Sequence, residues 1–294
     1  MIPTQVRTPI FRSRGAGTMR PLEGCMDRTN PSKAAETYNA ASDHFDDPAL
    51  SFWSRFGEET VARLGLRPGE NVLDVCCGTG ASALPAAARV APNGRVTAVD
   101  LSDRLLDLCR AKAAARGLTN LGARSGDMER LEFADESFDA VVCVFGLFFA
   151  SDMARAASGL WRLVRPGGRI AITTWGPRMF EPGSGAFWES VHGERPELTR
   201  AYHPWDRIDE PNALSQVLRD AGVPRPTVEA EAARHPIRSP KDWWSIVLGS
   251  GFRSTVDQLG PAAAERVRRT NLAWLATHDI HEIEVNVIFA TGTK

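Results

Sequence analysis

One short segment of this sequence could do chemistry before anything else is known. Asn71-Val-Leu-Asp-Val-Cys-Cys-Gly-Thr-Gly80 is an apolar run that passes directly into a glycine turn and then into helix formers. In an open α/β sheet this is where a nucleotide-like ligand lies against backbone amides at the carboxyl end of a strand. Gly78 and Gly80 leave room for such an approach, because a side chain there would occupy the ligand's space. Asp74 can accept a hydrogen bond from an ammonium or from the amides of the turn. Asp100 closes the next β-branched run, twenty positions after Gly80, where an acid can pair with the two hydroxyls of a ribose. It could equally cap a helix together with Ser102 and Asp103. Gly126-Asp127-Met128 follows a third apolar stretch, at 121–123. There a carboxylate can accept from an exocyclic amine, and a methionine can cover a flat ring.

The elements that must position these residues alternate. Strands are expected at 71–75, 95–99, 138–144 and 169–175, and helices at 81–90, 103–116 and 153–164. This rhythm implies a parallel sheet covered on both faces. Two or three helices precede it within 34–64, with Tyr38, Phe45, Phe52 and Phe56 among their spaced apolar residues. After Trp175 the rhythm breaks. Residues 177–211 hold Trp188, Tyr202 and Trp205 among proline, glycine and charge, and read as an insertion that packs on something. A helix at 213–221, a strand at 226–233, further helix over 240–270 and a final β-rich segment at 282–291 complete the chain.

Taken together, Val72 to Gly80, Val99-Asp-Leu-Ser102, Gly126-Asp-Met128, Phe133-Ala-Asp-Glu-Ser-Phe-Asp-Ala-Val-Val142 and Leu163-Val-Arg-Pro-Gly-Gly-Arg169 resemble the class I S-adenosylmethionine-dependent methyltransferases, within them the ubiquinone/menaquinone-biosynthesis type. The motifs stand in family order and at family spacing over about residues 35–175. The resemblance implies a Rossmann-like, seven-stranded, doubly wound α/β fold, with S-adenosyl-L-methionine as cofactor and S-adenosyl-L-homocysteine as product. By the same resemblance Gly78 and Gly80, with Asp74 and Cys76, line the methionine moiety. Asp100 and Leu101 hold the ribose, Asp127 and Met128 hold the adenine, and Cys143 and Val144 pass beside the cofactor. Tyr38 stands in a segment similar to the family's N-terminal motif, whose tyrosine closes over the cofactor; Asn39 replaces the usual Asp.

Methyl transfer from a sulfonium needs alignment more than acid–base help, so a base is required only if the acceptor must lose a proton. Of the six histidines, His203 is favoured because it sits between Tyr202 and Trp205 in the insertion. His278 and His281 have helical metal spacing but no third ligand, and no metal is expected. Phe148, Trp175, Trp188, Tyr202 and Trp243 are the candidate walls of an apolar substrate pocket, although most aromatics of this half are expected to be core.

Lys+Arg 35 against Asp+Glu 36 gives a formal net charge of -1, and the folded part shows no basic stripe and no Asn-Pro-Pro-aromatic tetrad, which disfavours nucleic acid as substrate. The longest nearly apolar run, 140–150, is shorter than the roughly 20 residues of a membrane span. The five cysteines, an odd number without metal spacing, suit reduced thiols in a cytoplasmic protein, even where Cys76 and Cys77 adjoin. Residues 1–33 are Arg-rich and acid-poor without helical period. They read as a disordered tail rather than a transit peptide, since Pro3, Pro9, Gly15, Gly17 and Pro21 interrupt any amphipathic helix, and Met19 offers a second start.

The expected organisation is therefore a tail (1–33), a helical N-terminal lid (34–70), a cofactor-binding core (71–176), a substrate cap (177–211) and a C-terminal part of the core with further cap helices (212–294). The expected function is methylation of a small, largely apolar or aromatic metabolite in bacterial specialised metabolism, with a homodimer compatible with the aromatic cap. Two alternatives stay open: a quinone-ring C-methyltransferase, and a non-methylating cofactor-binding relative such as a cyclase or decarboxylase.

Overall fold

The computed structural model describes residues 31–199 and 203–294. The tail through residue 30, Cys25 within it, and Tyr202 lie outside the described residues. The first helix, α1 (Pro31–Phe45), begins inside the stretch read as tail, with its proline in the first turn, where a missing N–H costs nothing. A short turn leads to α2 (Phe52–Arg63), whose Phe52 and Phe56 are buried.

The alternating region then folds as its pattern predicts. β1 (Asn71–Val75), α3 (Ala83–Val90), β2 (Arg95–Asp100), α4 (Asp103–Ala115), β3 (Leu121–Ser125), β4 (Phe138–Val144), α5 (Met153–Leu163) and β5 (Val164–Trp175) follow in order. Strands β1 to β5 pair in parallel, and β1 and β4 are almost continuously buried, as strands covered on both faces must be. β5 begins five residues earlier than the expected strand, because α5 stops at Leu163 and the chain becomes extended at once.

The expected insertion contains a helix, α6 (Gly183–Glu194), followed by short helical turns and α7 (Pro211–Asp220). β6 (Thr227–Glu231), β7 (Arg234–Pro236), α8 (Pro240–Leu248), α9 (Arg253–Leu259), α10 (Pro261–Thr277), β8 (Glu282–Glu284) and β9 (Val287–Thr293) complete the fold. The final β-rich segment is thus two strands. Asn286 breaks it: its carboxamide accepts from the Ala233 amide at 3.0 Å and donates to the Pro177 carbonyl at 3.0 Å, and its own carbonyl accepts from Gly176. β8 turns away to pair with β7 in a two-stranded ribbon, while β9 inserts antiparallel between β5 and β6.

The seven-stranded sheet has the order β3-β2-β1-β4-β5-β9-β6. From β1 the chain winds outward through β2 and β3, then crosses back to β4 on the other side. The connections therefore diverge between β1 and β4, and a crevice opens at the carboxyl ends of those two strands. α1 packs against α4 on one side and α8 and α9 on the other, across the mouth of that crevice. Among the described residues no helix is long and apolar enough to cross a membrane.

Candidate active site

At the carboxyl end of β1 the backbone leaves the strand with Cys76 at φ 59°, Gly78 at 53° and Gly80 at 91°. The Cys77 amide donates to the Val99 carbonyl at 3.1 Å, and the Gly80 amide closes the turn on Cys77 at 2.8 Å. A Cβ at Gly78 would stand 3.4 Å from the Phe45 ring; one at Gly80 would stand 2.9 Å from the Cys109 sulfur and 3.0 Å from Leu84. Gly78 thus keeps its surface open toward the crevice, whereas Gly80 is required by the packing of α3 and α4 behind it.

Asp100, at the end of β2, ties three segments together. Its Oδ2 accepts from the Gly78 amide at 2.8 Å and its Oδ1 from the Ser102 amide at 2.9 Å. Its carbonyl accepts from Gly126 at 3.0 Å, which brings the loop after β3 alongside. Each carboxylate oxygen keeps a lone pair for a further donor. Burial pushes the Asp100 carboxyl up, against the opposing bonds from Ser102, Gly78 and Leu101. Asp127 accepts from the Glu129 amide at 2.9 Å and so holds Met128 in a short helical turn.

Asp74 is fully buried beneath the turn. Its Oδ2 accepts from the Ser82 hydroxyl at 2.7 Å, but Oδ1 has no partner among the described residues. Burial pushes its carboxyl up to about 7; the Ser82 bond opposes the shift and the Asp100 charge adds to it. A buried acceptor left open this way lacks a donor, which is what an ammonium would supply.

These residues enclose a cleft of about 110 Å³ that opens in part to solvent. Of the residues singled out from the sequence, Tyr38, Cys76, Gly78, Asp100, Leu101, Asp127, Met128 and Val144 line it. Asp74, Gly80 and Cys143 lie behind that lining; Cys143 is fully buried and pairs with Val75 across β1 and β4. Tyr38 projects from α1, its ring edge-on to Phe45 at 6.1 Å and to Phe149 at 5.7 Å. Burial, then the Asp100 and Cys76 charges, pushes its phenol up, so it stays protonated. A ligand with an ammonium, a vicinal diol and a flat amine-bearing ring therefore fits the groups present: Asp74, Asp100 and Asp127 with Met128 respectively.

The expected substrate walls fall elsewhere. Trp243 is fully buried, with its indole N–H donating to Asn271 at 3.0 Å, and packs in the helical core with Phe180 and Phe252. Trp175 stacks on Phe145 at 4.1 Å, one layer behind the cleft, and Phe148 lies under Phe149. Trp188 and Trp205 sandwich the His203 ring at 4.8 Å each, and none of these three lines the cleft. The chain neighbours that favour His203 in the sequence are Tyr202 and Trp205; of these Trp205 stacks on its ring away from the cleft. No histidine among the described residues lines the cleft.

Besides Tyr38, four aromatic rings line it: Phe45, Trp53, Phe145 and Phe149. They come from α1, α2 and the turn after β4, so no single stretch of sequence carries their signal. Trp53, not among the residues singled out from the sequence, carries a local signal: it adjoins the buried Phe52 on a helix and must face a different direction.

Residues 72–168 match a family model described as "Methyltransferase domain". The chain is 31% identical over 207 residues to a demethylmenaquinone methyltransferase of Symbiobacterium thermophilum, covering 65% of this chain and 81% of that protein. It is 32% identical over 171 residues to a demethylmenaquinone methyltransferase of Listeria monocytogenes, covering 56% and 70%. An uncharacterized protein of Mycobacterium tuberculosis is 37% identical over 155 residues, half of this chain and 55% of the other. Among solved structures, the YcgJ protein of Bacillus subtilis superposes with a TM-score of 0.55 at 16% identity, covering 82% of this chain and 98% of that one. The [4+2]-cyclase SpnF superposes with a TM-score of 0.52 at 23% identity, covering 82% and 80%. These two likenesses are of fold alone. With the sheet order, the crevice and a relative matched over most of its length, the chain belongs to the class I S-adenosylmethionine-dependent methyltransferases of the ubiquinone/menaquinone-biosynthesis type, and S-adenosylmethionine is its cofactor.

Proposed function

We propose that the chain methylates a small, planar, largely apolar or aromatic metabolite. The observation that carries this reading is the wall of the cleft beside the ends of β1 and β4, where Phe45, Trp53, Phe145 and Phe149 come together and no cationic side chain is present among the described lining. Flat aromatic faces pack best against another flat ring, and a cleft without a cation disfavours an anionic acceptor such as a nucleic acid or a phosphorylated metabolite.

When bound, S-adenosylmethionine supplies a methyl group on an electrophilic sulfonium. The chain's own part is to bind, orient and exclude water. Asp74 takes the ammonium, Asp100 the ribose diol, and Asp127 with Met128 the adenine. α1 acts as the lid, with Tyr38 as its inner face, and its closure leaves the reacting atoms in a dry aromatic chamber where alignment supplies much of the rate. Because the described lining holds no histidine or lysine, the acceptor suited to it is one whose nucleophile forms without a protein base, its proton lost to solvent before the lid closes.

A ring of the quinone type is the second reading, and the names of the Symbiobacterium and Listeria relatives favour it. Bacterial specialised metabolism is preferred here because the Symbiobacterium relative matches only 65% of this chain. We assign the activity to the cytoplasm on the free thiols Cys76, Cys77, Cys109 and Cys143.

Titration calorimetry with S-adenosylmethionine and S-adenosylhomocysteine, followed by mass spectrometry of mixtures with phenolic, prenylated and quinol acceptors, tests the proposal. Binding near micromolar affinity with a methylated aromatic product supports it. Binding without methylation of any acceptor points to the cyclase or decarboxylase class, and no binding of either nucleoside overturns the reading.

A further inference from the structure

The aromatic wall of the cleft carries one polar group of its own. The indole N–H of Trp53 is buried and has no acceptor among the described residues, although Trp53 lines the cleft. Unpartnered donors in closely packed surroundings are rare, and a ligand that completes them is one of the few explanations of their persistence. The ring has little freedom to find another partner. It stacks on Phe45 at 5.4 Å with 3° between the planes, meets Phe145 edge-on at 5.4 Å, and packs on Phe52 at 4.8 Å and Trp175 at 5.5 Å. Phe145 is itself held in the left-handed region, at φ 52°, by its amide's 2.8 Å bond to Thr173 and by its stacking on Trp175. A bulky residue adopts that conformation only where its surroundings impose it, so the wall is shaped in advance of the ligand.

We propose that Trp53 is the specificity-determining residue of the acceptor site: its indole N–H donates to an oxygen, hydroxyl or carbonyl, carried by a planar aromatic acceptor lying against Phe45 and Phe145. The role rests on the methyl-transfer reading above and adds to it the group that tells an oxygenated ring from a bare one. A site built to hydrogen-bond its ligand rejects the analogue that lacks the bonding atom more sharply than an apolar pocket rejects a change of size.

The test uses the full chain saturated with S-adenosylhomocysteine, titrated with 1,4-dihydroxynaphthalene and, separately, with naphthalene. The indole ¹H–¹⁵N resonance of Trp53, identified by its absence in Trp53→Phe, is followed by NMR, and dissociation constants are measured for both proteins. The expected result is a shift of that resonance with dihydroxynaphthalene but not with naphthalene. Dihydroxynaphthalene is also expected to bind about tenfold more weakly to Trp53→Phe, with naphthalene and S-adenosylhomocysteine unchanged. An equal loss for both ring ligands would reduce Trp53 to packing. An unmoved resonance, or no binding of dihydroxynaphthalene by the unaltered chain, would overturn the proposal while leaving methyl transfer standing; failure to bind S-adenosylhomocysteine would overturn both. Should Trp53→Phe not fold, the contrast between the two ligands on the unaltered chain decides.

Discussion

The Gly78 amide donates to Oδ2 of Asp100 at 2.8 Å, so the acid that ends β2 also fixes the glycine turn that follows β1. In the proposed binding mode one carboxylate thereby serves two ends: a surface for the ribose and the shape of the loop against which the rest of the cofactor would lie. Asp100→Ala removes both at once. With a charge-assisted hydrogen bond worth about 1.5–3 kcal/mol, S-adenosylmethionine affinity is expected to fall by about 100-fold or more. Calorimetry on Asp100→Ala and on Asp100→Asn checks this, the latter keeping one acceptor oxygen and losing less. Circular dichroism is expected to show both variants folded, because burying this charge costs the free protein stability, as the upward push on its carboxyl shows. Affinity unchanged in both would remove Asp100 from the site.

The two turn glycines separate binding from folding. A leucine at Gly78 carries φ 53° at a cost of about 1–2 kcal/mol and fills the cleft beside Phe45, so the expected variant is folded, slightly less stable, and without measurable cofactor binding. Gly80→Ala, with φ 91° and its Cβ 2.9 Å from the Cys109 sulfur, is expected to lower the thermal midpoint more than Gly78→Leu does, although it adds only one methyl. Thermal unfolding and calorimetry on the pair test the contrast; the reverse ranking would show that Gly80, rather than Gly78, faces the ligand.

What the sequence made legible follows from how local each signal is. Asp74, Gly78, Asp100 and Asp127 sit at the ends of consecutive strands, and strand alternation with a glycine turn is written in the chain itself. β1, β2 and β4 accordingly fall within a residue or two of expectation, while β3 forms where only an apolar stretch is read. The aromatic wall is different, because Phe45, Trp53 and Phe145 meet only through the docking of α1 and α2 over the sheet edge, which no local period encodes. His203 shows the cost of reading neighbours in the chain as neighbours of a site: Trp205, two residues on, stacks on it away from the cleft, and the distant Trp188 packs on it at a tilt. The split of the last strand turns on a single carboxamide, Asn286, whose bonds to Ala233 and Pro177 are long-range.

Asp74, proposed to take the ammonium, should give the cofactor's affinity a pH dependence. In the free protein its carboxyl is pushed up to about 7, against about 3.9 in the unfolded chain, so its contribution to stability is full below about pH 4 and is lost as pH rises toward 7. An ammonium needs the ionised form, so binding of S-adenosylmethionine should strengthen over that upper range. Ionisation centred on 7 predicts about tenfold tighter binding at pH 8 than at pH 6. Asp74→Asn should bind more weakly and lose most of the slope. Calorimetry at three pH values checks it, and an equally steep profile in Asp74→Asn would assign the titration to another group.

Asn39 connects the lid to the Asp100 carboxylate. Its Oδ1 accepts from the Ser102 hydroxyl at 2.7 Å and from the Arg104 amide at 3.2 Å, and Ser102 in turn donates its amide to Asp100. A second clamp sits at the far end of α1, where Asp46 accepts from the Thr79 hydroxyl at 2.7 Å and from Lys112 at 2.8 Å. α1 is thus pinned at Asn39 and just beyond its carboxyl end at Asp46, and Tyr38 adjoins the first pin. Asn39→Ala leaves the α4 terminus without one acceptor and frees one end of the lid, so S-adenosylhomocysteine should dissociate about tenfold faster while the thermal midpoint moves little. Asn39→Asp keeps the accepting oxygen, at the residue usual in the family, and should dissociate near the rate of the unaltered chain. Stopped-flow displacement of bound S-adenosylhomocysteine compares the three. If Ala and Asp behave alike, the oxygen of residue 39 does not hold the lid, and its closure must rest on Asp46 and the apolar contacts of Tyr38 and Phe45 alone.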